Sequence, residues 1–230
     1  MEPTDGELLE RWRGNDAASG EALFDRYYPM VERFFLNKVG GAVPDLVQET
    51  FIRCVENRDK IRDNNQFRLY IFGIAYNVLK AYLRVRYRGG QPVDVHGSSV
   101  RDVAAGPVTL AVRRSEHRML LEALRSIPIE DQVILELHYW DNLTTDDIAE
   151  VLAVPAGTAR GRLQRARDKL GEVMHRLTLS AQDLTTTVAD LEGWARDCRD
   201  HLDSYRDDGQ TLSSSPGPAP APRLPPRSRG

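Results

Sequence analysis

Apolar residues recur at helical spacing almost everywhere in this chain, and no convincing alternating pattern marks a strand. From Ser19 onward, Leu23, Phe24, Tyr27, Tyr28, Val31, Phe34 and Phe35 line one broad helical face, with a bend expected at Pro29. Gly40-Gly41 ends that helix, and Pro44 suits the first turn of the next. Leu46, Val47, Phe51, Cys54 and Val55 form its apolar stripe. A polar loop, Arg58 to Gln66, leads to a third helix from about Phe67 to Arg88, with Ile71, Ile74, Ala75, Val78, Tyr82 and Val85 expected inside. A second helical block begins near Val112 and carries Leu120, Leu121 and Leu124, then Val133, Ile134, Leu137 and Trp140, then Ile148, Ala149 and Leu152, then Leu163, Ala166 and Leu170.

The fold class expected is therefore all-α. Two small helical domains, over 17–88 and 112–177, are joined by a flexible Gly/Pro/Ser linker over 89–111. An acidic helical extension over 178–208 and a disordered proline-rich tail over 209–230 follow.

The segment Thr144 to Leu170 reads as a helix-turn-helix. Thr144 and Asp147 have capping-box spacing, although aspartate reaches back less well than glutamate. Ile148, Ala149 and Leu152 face inward, Val154 plugs the turn, and Pro155 starts the second helix. Ala153 stands where a turn prefers glycine for a positive φ. The second helix keeps Leu163, Ala166 and Leu170 inside and turns Arg160, Arg162, Gln164, Arg165, Arg167 and Lys169 outward. Such a helix fits the major groove, with bases reached from its N-terminal part and phosphates neutralised from its flanks. A solvated basic helix of a small bundle would share the charge, but not the capped helix, small residue and short turn before it.

The whole-chain charge of −3 means that any basic surface is local. A second such surface lies on the third helix. No acid occurs between Asn64 and Val93, while Arg68, Lys80, Arg84, Arg86 and Arg88 do, interleaved with Tyr70, Phe72, Tyr76, Tyr82 and Tyr87. Arginines can track phosphates and exposed rings can stack on unpaired bases. Tyr82 and Phe72 read better as core, and Tyr76 is open to either reading.

At this point the chain resembles a known family. Asp45-Leu-Val-Gln-Glu-Thr-Phe51 looks like region 2.2 of a bacterial sigma factor. Phe67 to Arg88, with Ile74-Ala75-Tyr76-Asn77 and Tyr82-Leu83-Arg84, looks like regions 2.3 and 2.4. Leu121 to Leu170, with Asp147-Ile148-Ala149-Glu150, Pro155-Ala156-Gly157-Thr158 and Arg165-Ala166-Arg167, looks like region 4. The short linker leaves no room for a region 3 domain, a layout similar to the extracytoplasmic-function (ECF) group of the sigma-70 family. The match covers roughly residues 17 to 177.

The resemblance implies a sigma factor that binds core RNA polymerase and directs it to promoter DNA. Region 2.2 would dock on the β′ clamp helices through Asp45, Gln48, Glu49 and Arg53, and the β subunit is a further expected partner. Asn64 and Asn65 would capture a flipped base of the −10 element, and Arg68, Lys80 and Arg84 would hold the separated strand. Thr158, Arg160, Arg162 and Arg165 would read the −35 element. An anti-sigma factor is an expected partner. Five positions depart from the family pattern: Tyr76 and Asp131 stand where arginine is usual, Ala81 where aspartate is usual, Ala153 where glycine is frequent and Ala159 where valine is frequent.

The remaining features narrow the function classes. Cys54 and Cys198 make neither a disulfide framework nor a zinc set, which fits a reducing cytoplasm. His96, His117, His138, His175 and His201 show no metal-ligand pairing with carboxylates at helical spacing, and no phosphate-binding glycine loop occurs. No cofactor, metal or catalytic residue is expected. Met1 to Glu10 is acidic and lacks an apolar run, so no signal peptide is expected, and no stretch is long enough for membrane insertion. Beyond the family match, Leu163, Leu170, Leu177, Leu184, Leu191 and Cys198 keep a seven-residue spacing. Residues 178–210 hold eight acids against three bases. This extension either shields the basic recognition surface or is a surface helix without a regulatory role. The competing functional reading is a stand-alone helix-turn-helix regulator whose first domain dimerises or senses a signal.

Overall fold

The first helix, α1 (Asp5–Arg13), begins where the sequence supplies a cap. Thr4 Oγ1 accepts from the Glu7 amide at 3.3 Å, and the Glu7 carboxylate accepts from the Thr4 amide at 2.8 Å. Two amide donors that a helix start leaves unpaired are satisfied reciprocally. Most of this helix falls in a stretch whose composition reads only as acidic and lacking an apolar run. Its Leu8, Leu9 and Trp12 are buried against α2 (Ala17–Val39). Asp5 ties the two together by accepting from Arg26 and Tyr27. Trp12 lies so close to α2 that a Cβ on Gly20 would come within 2.6 Å of the indole nitrogen. Only glycine permits that approach.

The structure, a computed structural model, describes residues 2–61, 66–86, 97–100 and 115–177. Helix α2 runs through Pro29 without interruption. A short turn over Gly40–Ala42 precedes α3 (Val43–Asn57), which has Pro44 in its first turn as expected. Helix α4 (Phe67–Arg86) packs on both α3 and α2. Phe34 and Phe35 of α2, Leu46, Val47 and Cys54 of α3, and Phe67, Ile71, Phe72, Ala75, Leu79 and Leu83 of α4 form this first core.

Two expectations about that core need correction. On α4, Val85 is 68% exposed, and Ile74 and Tyr82 are half-buried. Apolar residues surround much of α4, so its periodicity supports two rival stripes, and the one through Phe72, Leu79 and Leu83 faces inward. On α3, Val55 is 44% exposed, while Thr50 is fully buried. The Thr50 hydroxyl donates to the Leu46 carbonyl at 2.7 Å, which satisfies it inside the core.

The second block comprises α5 (Ser115–Arg125), α6 (Ile129–Tyr139), α7 (Thr145–Leu152) and α8 (Ala156–Leu177). Helix α6 is buried from Ile129 through Leu137, polar residues included. Within the segment expected to link the domains, residues 97–100 are described: Ser99 forms an antiparallel bridge with Pro128, and the Ile129 amide donates to the Ser98 carbonyl at 3.0 Å. The expected extension over 178–208 and tail over 209–230 lie outside the described residues. Among the described residues, no helix is long and apolar enough to cross a membrane.

The two blocks pack against each other, α4 on α7 and α2 on α5 and α6. Their junction is largely polar. Arg33 pairs with Asp141 at 2.9 Å, the Lys38 ammonium pairs with Glu136, and Arg68 donates to the Asp141 carbonyl. The Tyr76 hydroxyl donates to Glu130 at 3.0 Å, and Asn37 reaches the Leu121 carbonyl at 3.5 Å.

Candidate nucleic-acid interface

Helix α7 is short, so its ends matter. Thr144 Oγ1 accepts from the Asp147 amide at 3.2 Å and the Asp147 carboxylate accepts from the Thr144 amide at 2.9 Å. Aspartate, one carbon shorter than glutamate, closes the box here. The C-terminus turns through Ala153 at φ 54°, ψ 48°, and the Ala153 amide donates to the Glu150 carbonyl at 3.1 Å. That left-handed residue sets the crossing of α7 and α8, across which Ile148, Ala149 and Leu152 meet Ala159, Leu163 and Ala166 in one buried cluster.

The outer surface of α8 divides into two sets. Arg160, Gln164 and Arg165 are exposed, and Thr158 is half-buried beside them. Gly157 has no neighbour within reach of an added Cβ, so the helix start is open to a ligand. Arg162, Arg167 and Lys169 instead turn against α6. Arg162 pairs with Glu130 at 2.7 Å and Lys169 with Asp131 at 2.5 Å. Arg167 donates to the Tyr139 hydroxyl at 2.7 Å, lies 5.4 Å from that ring, and has its Nη2 3.2 Å from His138 Nε2. That places Nε2 as acceptor and leaves Nδ1 to donate to the Leu143 carbonyl at 2.9 Å. The sequence pattern places all these cations outward; two acids of α6 hold Arg162 and Lys169, and its Tyr139 and His138 hold Arg167.

On the first domain, Asn64 and Asn65 lie outside the described residues, but the base of their loop is well anchored. Arg13 donates to the Arg58 carbonyl at 3.3 and 3.2 Å and to the Ile61 carbonyl. The Tyr70 hydroxyl donates to the Asn57 carbonyl at 3.2 Å, and Ile61 is buried. Arg13 was not singled out from the sequence, because nothing local connects it to residues more than forty positions away. A recess of about 400 Å³ opens beside the loop, lined by Ile61, Gln66, Tyr70, Gly73, Asn77 and Glu150.

Along α4, Arg84 is exposed, Arg68 is half-buried, and Lys80 lies 4.3 Å from the Tyr76 ring. Burial lowers the Lys80 pKa below the ordinary lysine value. Tyr76 is buried, and burial, with Glu130 beside it, raises the pKa of its hydroxyl. The open question about Tyr76 thus resolves to an inter-helix hydrogen bond, and Phe72 is core.

Helix α3 presents Asp45 and Gln48 to solvent, with Glu49 and Arg53 paired at 2.6 Å. Ile52 and Val55 are 44% exposed on the same helix, and Tyr28 of α2 is 39% exposed. Ile52 was overlooked because it falls off the apolar stripe. That very position, an isoleucine on a polar face, is the signal that marks it.

The family model described as Sigma-70 region 2 matches residues 23–89, and that described as Sigma-70, region 4 matches residues 117–170. The ECF RNA polymerase sigma-E factors of Salmonella typhimurium (strain LT2) and Escherichia coli (strain K12) are each 31% identical over 176 residues, spanning 73% of this chain and 92% of theirs. Among solved structures, the sigma factor RpoE in complex with the anti-sigma factor NepR from Bartonella quintana matches with a TM-score of 0.53 at 19% identity, covering 67% of this chain and 96% of that one. CnrH in complex with the cytosolic domain of CnrY matches with a TM-score of 0.54 at 19% identity, covering 76% and 99%. At that identity the two structures establish a shared fold.

Proposed function

From the premise that the chain belongs to the ECF group of the sigma-70 family and is an RNA polymerase sigma factor, we propose how its residues divide the work of promoter recognition. A region 2 domain over 17–88 and a region 4 domain over 112–177 act as separate modules. Arg160 and Arg165, with Thr158 and Arg162, read the −35 element in the major groove. Asn64 and Asn65 take a flipped −10 base, and Arg68, Lys80 and Arg84 hold the single strand. Asp45, Gln48, Glu49 and Arg53 meet the β′ clamp helices, and we add Ile52 and Val55 as apolar anchors of that contact.

The observation that carries this reading is the exposure on α8: Arg160 and Arg165 stand clear beside an open helix start. The chain acts in the cytoplasm and supplies positioning rather than bond-making chemistry. Two of the solved relatives are held by anti-sigma factors, and this chain takes a partner of that kind. Run-off transcription with purified core polymerase tests the reading. Promoter-dependent transcripts that require the chain are expected. Failure to bind core polymerase would reject it in favour of a stand-alone regulator.

A further inference from the structure

Helix α1 lies ahead of the residues that match the region 2 family model. Its two ends nevertheless reach the residues that bracket the −10 loop, Ile61 before it and Phe67 after it. Arg13, the last residue of α1, is half-buried and spans to carbonyls more than forty positions further along the chain. Its Nε and Nη2 donate to the Arg58 carbonyl at 3.3 and 3.2 Å, and Nη2 also donates to the Ile61 carbonyl. Those carbonyls stand at the two ends of the short turn Arg58–Lys60 that follows α3. The turn's own backbone bond, from the Ile61 amide to the Arg58 carbonyl, is long at 3.4 Å. A single turn closed so weakly gains from an outside tie. The planar fork of an arginine supplies one, because it bridges two carbonyls that a point-like ammonium holds less well together.

The turn also reaches back to α1. The Arg58 guanidinium lies 5.5 Å from the Trp12 ring, and its Nη2 is 3.5 Å from Asn15 Oδ1. Asn15 sits at φ 70°, a left-handed conformation that asparagine tolerates better than most residues. At the opposite end of α1, Asp5 accepts from the Tyr27 hydroxyl. The Tyr27 ring lies 5.2 Å from that of Phe67, which is fully buried. One helix thus braces the chain both where it enters the loop and where it leaves.

We propose that Arg13 is a positioning residue for −10 recognition: by clamping Arg58 and Ile61 it fixes the point from which the chain reaches Asn64 and Asn65. The inference rests on the base-capturing role proposed for those two asparagines. Asn64 stands three residues beyond Ile61, no more than about 11 Å of extended chain. A side chain that selects a ligand must be held within about 0.5 Å of its productive geometry. Loosening the turn therefore carries directly into the placement of the reading side chains. A cation in the last turn of a helix also suits the helix dipole, but the exposed Arg11 supplies that charge without Arg13.

The test uses the full chain with core polymerase and a promoter identified by transcript mapping. Run-off transcription compares that promoter with copies substituted at single −10 or −35 positions. For the wild type, a substitution at the captured base should cost roughly 5- to 100-fold in transcript. In R13A that −10 penalty should shrink to about threefold or less, while the −35 penalty and core affinity stay within about twofold of wild type. A general folding defect would instead lower every transcript and leave the −10 penalty unchanged, and that outcome overturns the proposal. If circular dichroism shows that R13A has lost its helices, R13K replaces it: it keeps the charge and loses the fork, and a wild-type −10 penalty in folded R13K overturns the proposal equally. N64A/N65A separates the two readings. A wild-type −10 penalty in N64A/N65A rejects the base-capturing role, and the proposal with it. A penalty lost in N64A/N65A but retained in R13A rejects the proposal alone.

Discussion

Arg162 and Glu130 are joined by an ion pair of 2.7 Å, so a residue of the recognition helix is held by an acid of its own domain rather than standing ready in solvent. Its neighbours Arg160 and Arg165 are exposed, and Arg167 is packed on Tyr139. One basic face therefore contains residues of different kinds, which alanine substitution should separate. A base contact by arginine contributes about 1–3 kcal/mol of discrimination. R160A and R165A should lower transcription from a −35-dependent promoter by roughly 5- to 100-fold, while thermal stability shifts by less than about 0.5 kcal/mol. R167A should cost about 1–2 kcal/mol of stability through the lost hydrogen bond and ring contact, with transcription retained at a permissive temperature. R162A should show both losses. Equal transcription by R165A and wild type would refute the division.

Ala153 adopts φ 54°, ψ 48° at the end of α7. A side chain in that left-handed region costs about 1–2 kcal/mol, and glycine recovers it less an entropy penalty of roughly 0.5–1 kcal/mol. A153G should therefore stabilise the chain by about 0.5–1 kcal/mol and raise its melting midpoint by about 2 °C. A calorimetric scan in which A153G melts at or below the wild-type temperature would show that the turn is not strained.

That glycine preference was legible in the sequence, as was the helix-turn-helix itself, because both depend on neighbours within a few residues. The Thr144–Asp147 cap and the inward set Ile148, Ala149 and Leu152 are local signals that the structure reproduces. The start of α1 is equally local, in the capping-box spacing of Thr4 and Glu7, which acidic composition and the lack of an apolar run do not convey. The state of the cations on α8 was not legible. Whether Arg162 or Lys169 faces solvent depends on Glu130 and Asp131, more than thirty positions earlier. Tyr76 is the same case across domains: its register on α4 places it inward, but only the packing of α6 supplies a hydrogen-bond partner. Val55 and Val85 show the opposite error, in which apolar identity was mistaken for burial.

Cys54 is fully buried in the first core, and burial pushes its thiol up to about 12. Since the thiolate is the reactive species, Cys54 should resist iodoacetamide at pH 8 in the folded protein and react once the chain is unfolded. The sign of the pH effect follows from the raised value. The folded state favours the protonated thiol, so this contribution to stability is complete below the ordinary thiol pKa of 9.0 and fades as pH rises toward 12. C54A should remove that part of the alkaline dependence. Peptide mass spectrometry that finds Cys54 alkylated as fast in the native as in the unfolded protein would disprove its protection.

Ile52 is an apolar side chain on the polar face of α3, 44% exposed, in the same helix as the Asp45, Gln48, Glu49 and Arg53 set assigned to polymerase. If it were only a surface accident, replacing it with aspartate would change little. Its solvation at nearly half of its area means that I52D should alter folding stability by no more than about 0.5 kcal/mol. If it anchors the clamp contact, a charge placed in that desolvated patch should cost 2 kcal/mol or more of binding, roughly a thirtyfold loss. V55D, one helical turn further along, should behave alike. Core polymerase binding by fluorescence, alongside thermal melting, separates the outcomes. Wild-type affinity in both variants would remove α3's apolar residues from the interface and leave the contact to its charged ones. Loss of affinity with an unchanged melting temperature would mark Ile52 and Val55 as residues kept exposed for a partner.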